Sequence, residues 1–138
     1  MQRIQALNNQ LNTCSPVPGR SDDDVVICGA VRTPLTKAKR GLLRDTPAEV
    51  LLSTAFVGLI QRTKVDPKVV QDIVVGNVNQ PGSGAIVSKM AAFLAGFPDT
   101  TCLTAINRFC SSGIEACAVI AAKIKCGMLD IGIGAGVE

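Results

Sequence analysis

Histidine is absent from the 138-residue chain, as are tryptophan and tyrosine, and four phenylalanines are the whole aromatic complement. Without an imidazole, cysteine chemistry that needs a histidine base cannot be completed by this chain alone. Zinc is disfavoured as well, because no clustered ligand pairs accompany the missing histidine. No indole or phenol is available to stack on bases, and the net charge of +3 is modest, so nucleic acid is not an expected partner. The densest basic cluster, Lys37-Ala38-Lys39-Arg40, reads as a solvated loop or, failing that, a contact for an anionic small molecule. No apolar run approaches the roughly 18 residues of a membrane span. Six cysteines are present, at 14, 28, 102, 110, 117 and 126, yet none is paired as C-x-x-C. A reduced compartment fits that pattern better than a disulfide framework.

The informative stretch runs from Thr101 to Cys126. Thr101-Cys102-Leu103-Thr104-Ala105-Ile106 is β-branched or apolar and predicts a buried strand, central in the sheet. Ser111 to Lys125 has no proline, a single glycine and many Ala, Ile and Val residues over more than strand length, which predicts a helix. Cys110 therefore falls at a strand-to-helix turn. The first N–H groups of a helix lack internal partners and carry partial positive charge, so a thiolate there is stabilised. Those same groups can hold the oxyanion formed when a thiolate attacks a carbonyl. The competing expectation is an inert cysteine packed as a small apolar residue.

Asn107-Arg108-Phe109-Cys110-Ser111-Ser112-Gly113 resembles the nucleophile motif of thiolases, the 3-ketoacyl-CoA acyltransferases. Asn, Cys, Ser, Ser and Gly all fall at the family spacing. Phe109 departs from it, since peroxisomal and mitochondrial members usually carry Gln there, and reads as a change in pocket lining. The resemblance implies that Cys110 is the catalytic nucleophile, acylated by a 3-ketoacyl-CoA and deacylated by coenzyme A, with acetyl-CoA released. It implies acyl-CoA and coenzyme A as substrates, no resident cofactor and no metal. Asn107, Ser111, Ser112 and Gly113 are assigned to shaping the turn.

Along the chain, residues 1–21 form a leader with no acidic residue before Asp22, and 22–138 form the body. Arg3-Ile4, five residues, then Gln10-Leu11 resembles an N-terminal peroxisomal targeting signal. Arg3, Leu7, Gln10 and Leu11 would share a helical face, suiting an import-receptor groove. A mitochondrial presequence is the alternative, although Arg3 and Arg20 supply little charge for it. Val25-Val26-Ile27-Cys28-Gly29-Ala30 predicts a strand buried on both faces, followed by the Arg32-Thr33-Pro34 turn that thiolases also show after their first strand. Thr46-Pro47-Ala48-Glu49 predicts a helix start, with Thr46 as cap and Glu49 closing a capping box. Asp66-Pro67 opens a short turn, Asp72 to Gly76 is a buried strand, and residues 77–84 form a loop near the active site. That loop has neither Rossmann nor P-loop spacing. Ala85 to Gly96 is a helix and residues 130–136 a further strand.

The expected fold is α/β: an incomplete N-terminal βαβαβαβ half of the thiolase fold, with a mostly parallel sheet and helices on both faces. In the family a second half of the same topology covers the central helices and brings a Gly-His-Pro histidine and a second cysteine; neither motif occurs here. The resemblance thus implies a chain that stops within a domain and a homodimer in the full-length family. Two alternatives stand beside a peroxisomal thiolase of β-oxidation: a truncated, inactive paralogue acting as partner or cargo, and a condensing enzyme of the ketoacyl-synthase type.

Overall fold

The computed structural model describes Gly19, Ser21 and residues 23–138, so Arg3, Ile4, Gln10 and Leu11, expected to meet an import receptor, lie outside the described residues. Helix α1 spans Ala48–Thr63, strand β1 Asp72–Gly76, helix α2 Ala85–Leu94, strand β2 Cys102–Ile106, helix α3 Ser112–Lys125 and strand β3 Gly132–Gly136. Short 3-10 turns, Pro67–Val69 and Pro81–Gly84, precede β1 and α2. The three strands form a parallel sheet in the order β2-β1-β3, with Val74 level with Thr104 on one side and Gly134 on the other. The α/β class and the parallel sheet are as the sequence predicts.

Because β1 is the middle strand, every one of its residues is buried. Side chains alternate across a strand, so Ile73 and Val75 face one way and Val74 the other. Ile73 and Val75 join Leu52 and Phe56 of α1, Ala91 and Ala92 of α2, and Phe97 in one core. Phe56 and Phe97 meet edge to face at 5.5 Å between centroids, a geometry favoured by the ring quadrupoles. Val74 joins Ala116 and Ile120 of α3 in a second, thinner core on the opposite face. The Lys123–Asp72 ion pair ties the last turn of α3 to the start of β1.

Helix α1 departs from its expected start. Pro47, with extended backbone at φ −60° and ψ 149°, occupies the cap position and no side chain caps the helix. Proline's fixed φ suits the entry without Thr46, whose own N–H donates to Leu43 O at 3.1 Å. Helix α1 ends where Lys64 turns left-handed (φ 60°) and donates its N–H to Ile60 O. The turn after α2 is closed by Gly96 at φ 89°, a conformation that glycine adopts at little cost.

Two strand expectations are corrected. Strand β2 lies at the sheet edge rather than its centre, and its residues are exposed or half-buried. Residues 25–30 do not form a strand, and Val26 and Ile27 are 72% and 86% exposed. An apolar run becomes a buried strand only where a ladder partner exists, and among the described residues the sheet ends at β3. The segment instead passes α1, where a Cβ on Gly29 would lie 2.6 Å from Thr63 Cγ2.

Candidate active site

Parallel strands end together, and here the ends of β1, β2 and β3 converge on one side. The connection leaving β1 leads to α2 on one face of the sheet, and that leaving β2 leads to α3 on the other. Such divergence opens a crevice at the carboxyl ends of the strands, where α/β proteins bind ligands. A shallow cleft of about 270 Å³ occupies this place, lined by Gly76–Val78 at the end of β1 and just beyond it, by Phe109, Cys110, Ser112 and Gly113, and by Gly136–Glu138 at the end of β3. The loop expected near the active site supplies Asn77 and Val78 to it.

Cys110 is exposed and lies two residues before the start of α3, the strand-to-helix position its spacing predicts. Phe109 before it has φ 50°, a left-handed conformation that costs a non-glycine residue roughly 1–2 kcal/mol. Two side chains hold it there. Asn107 Oδ1 accepts the Phe109 N–H at 2.9 Å. Ser112 Oγ accepts the Arg108 N–H at 2.8 Å and donates to the Phe109 carbonyl at 2.6 Å. Asn107 and Ser112 are therefore brought together around the turn as expected.

Glycine permits the seating of this turn on the sheet. A Cβ at Gly76 would fall 2.6 Å from the carbonyl carbon and oxygen of Ser112, closer than packed atoms approach, so only glycine at the end of β1 lets α3 begin here. The amide of Ser111 bonds Arg108 O and that of Ser112 bonds Phe109 O. Those of Cys110 and Gly113 have no hydrogen-bond acceptor among the described residues and belong to residues lining the cleft.

Among the described residues no free base lines the cleft beside the thiol. Glu138 is the carboxylate of the cleft, and its two oxygens accept the N–H groups of Val78 and Asn79 at 3.1 and 3.0 Å. Arg108 is turned outward in an ion pair with Glu115. Among the described residues no group of three His, Cys, Asp or Glu side chains is arranged to hold a metal ion. Glu138 and Gly76 were not singled out by the sequence, and Asn77 only as part of the loop expected near the active site; a glycine ending a buried strand and an asparagine directly after it were the available signal.

The chain matches the thiolase N-terminal domain family over residues 25–138. It is 53% identical over 117 residues to 3-ketoacyl CoA thiolase 1, peroxisomal, of Petunia hybrida, covering 84% of this chain and 25% of that protein. The peroxisomal 3-ketoacyl-CoA thiolase of Saccharomyces cerevisiae, described as a five-layered structure of two core domains of identical topology, superposes with a TM-score of 0.78 at 35% identity, covering 82% of this chain and 34% of that one. A second structure, of the dimeric peroxisomal thiolase of that yeast, gives 0.77 at 34% identity, covering 82% and 30%. The chain thus spans a quarter to about a third of the length of these proteins. By its matched domain, its fold and the motif around Cys110, this chain belongs to the thiolase family.

Proposed function

We propose that this chain carries the nucleophile of a 3-ketoacyl-CoA thiolase acting in fatty-acid β-oxidation. The observation that carries the reading is Cys110, exposed in the cleft with the amides of Cys110 and Gly113 left without acceptors beside it. In this reaction the Cys110 thiolate attacks the 3-keto carbon and the developing oxyanion is met by those amides. The C2–C3 bond then breaks, its electron pair passing to the acetyl-CoA fragment, which takes up a proton. Coenzyme A thiolate attacks the acyl–Cys110 thioester and regenerates the cysteine thiolate. Two acyl transfers replace one difficult carbon–carbon cleavage. The chain has no histidine to serve as the proton acceptor.

Incubation with a 3-ketoacyl-CoA, with and without added imidazole as a surrogate base, followed by intact mass and peptide mapping, tests the reading. An acyl adduct on Cys110 that vanishes in Cys110→Ser supports it. No adduct under either condition overturns it and favours the second reading, an inactive paralogue serving as a partner. That alternative draws on the missing histidine and on the uncovered flank of α3, where Ile114, Cys117, Ala118 and Ala122 are exposed.

The names of the relatives and the Arg3-Ile4…Gln10-Leu11 pattern support a peroxisomal location reached through the import receptor. Residues 1–24 fused to a fluorescent protein would give peroxisomal puncta, lost in Arg3→Ala; diffuse or mitochondrial signal would refute this. A homodimer is proposed through the open edge of β2 and the exposed Ile86, Met90, Phe93 and Leu94 of α2, in line with the dimeric yeast relative. Sedimentation equilibrium showing only monomer at high concentration would exclude it for this chain.

A further inference from the structure

We infer that Glu138 is a positioning residue for Cys110, acting through the Val78–Asn79 backbone and Asn107; the inference rests on Cys110 being the nucleophile. The connection is a continuous run of hydrogen bonds across residues far apart in sequence. Glu138 accepts the N–H groups of both Val78 and Asn79. Asn107 Nδ2 donates to the Val78 carbonyl at 3.2 Å. The same Asn107 accepts the Phe109 N–H through Oδ1, and Phe109 is the residue whose left-handed backbone immediately precedes the thiol.

The two ends of this run are anchored differently. At the Cys110 end the conformation is costly and persists only if its surroundings hold it. At the Glu138 end the anchor is the sheet itself. Asn77, 1% exposed, donates Nδ2 to the Val137 carbonyl at 2.6 Å and accepts the Gln80 N–H at 2.9 Å. The Val137 N–H donates to Gly76 O at 3.1 Å. Glu138 is thereby delivered beside the loop with its backbone already fixed. An ionised carboxylate accepting two amides forms charge-assisted bonds, stronger than neutral ones. The same placement explains why Glu138 lines the cleft yet is not offered as a base: both oxygens are engaged. Asn107, by contrast, is exposed, so without Val78 held in place its amide has water as a competitor and its grip on Phe109 weakens.

The test reads the turn without requiring turnover. In the full chain, amide hydrogen exchange and alkylation by iodoacetamide are measured for wild type, Glu138→Ala, Glu138→Gln, Asn107→Ala and the double alanine variant. Exchange at Phe109 in Glu138→Ala is expected to speed by about tenfold, while Val74 in the buried strand keeps its protection. Alkylation of Cys110, measured against Cys126 on the same molecule, falls by about fivefold, and Glu138→Gln, which keeps one acceptor oxygen, recovers part of it. The double variant is expected to fall no further than Asn107→Ala alone, because residues acting through one connection are not additive. Unchanged exchange and alkylation in Glu138→Ala would overturn the inference, as would full multiplication of the two effects. Parallel loss of protection at Val74 would overturn it too, showing general destabilisation. Failure of the acylation experiment with these results intact would refute the thiolase reading alone.

Discussion

The two faces of the sheet are built on different principles. On the face of α1 and α2 large side chains interlock: Leu52, Phe56, Ile73, Val75 and Phe97 are all at most 3% exposed. On the face of α3 the sheet offers mainly backbone. A Cβ at Gly134 would lie 2.7 Å from Cys117 Cα, and one at Gly132 would lie 2.9 Å from Ile120 Cδ1. The first face gains stability from volume; the second gains placement from the lack of it. The helix bearing the reactive turn rests on the second, where small residues leave it no slack.

That contrast breaks most visibly at Phe56. Truncation to alanine removes a ring packed against Phe97 in the thick core and should destabilise the chain by about 3–5 kcal/mol, read as a lower urea midpoint. Below that midpoint the α3 face is expected to keep its geometry, so Cys110 alkylation relative to Cys126 should stay near wild type. A large change in that ratio would mean that the two faces are not separable.

A smaller, opposite kind of damage is expected at Gly134. Gly134→Ala adds a methyl against the backbone of Cys117 and should cost about 1–3 kcal/mol as overpacking. Here the alkylation ratio should change while the α1–α2 core, followed by amide protection at Val75, does not. Should Gly134→Ala match wild type in both readings, the close seating of α3 would have no consequence.

The same division governs what was legible beforehand. Cys110 at a strand-to-helix turn, the α/β order and most element limits follow from local pattern, because capping, periodicity and turn chemistry act over a few residues. Apart from the Thr46 cap, displaced locally by Pro47, the positions that failed depend on distant partners. Val25–Ala30 has the composition of a buried strand, but composition does not say whether a ladder partner exists beyond β3. Cys102–Ile106 reads as central, and becomes an edge because the chain returns across β1 to place β3 on its other side. Gly76 and Glu138 gain their importance from Ser112 and from Val78–Asn79, across 36 and roughly 60 residues of chain. No local window contains those contacts.

Phe109 sharpens the comparison at the smallest scale, because the reactive turn holds a conformation its residue type resists. A bulky side chain at φ 50° is unfavourable, and Phe109 is 78% exposed, so little packing compensates for the backbone cost. Phe109→Gly removes the steric penalty of roughly 1–2 kcal/mol but returns about 0.5–1 kcal/mol as lost unfolded-state restriction. The net expectation is a chain unchanged or more stable by up to about 1.5 kcal/mol, seen as an equal or higher urea midpoint. Reactivity should move the other way, since glycine also populates conformations that turn Cys110 out of the cleft, and alkylation relative to Cys126 should fall. A clear loss of stability would mean that the ring, not the hydrogen bonds of Asn107 and Ser112, holds the turn, and that Phe109 is packed rather than strained.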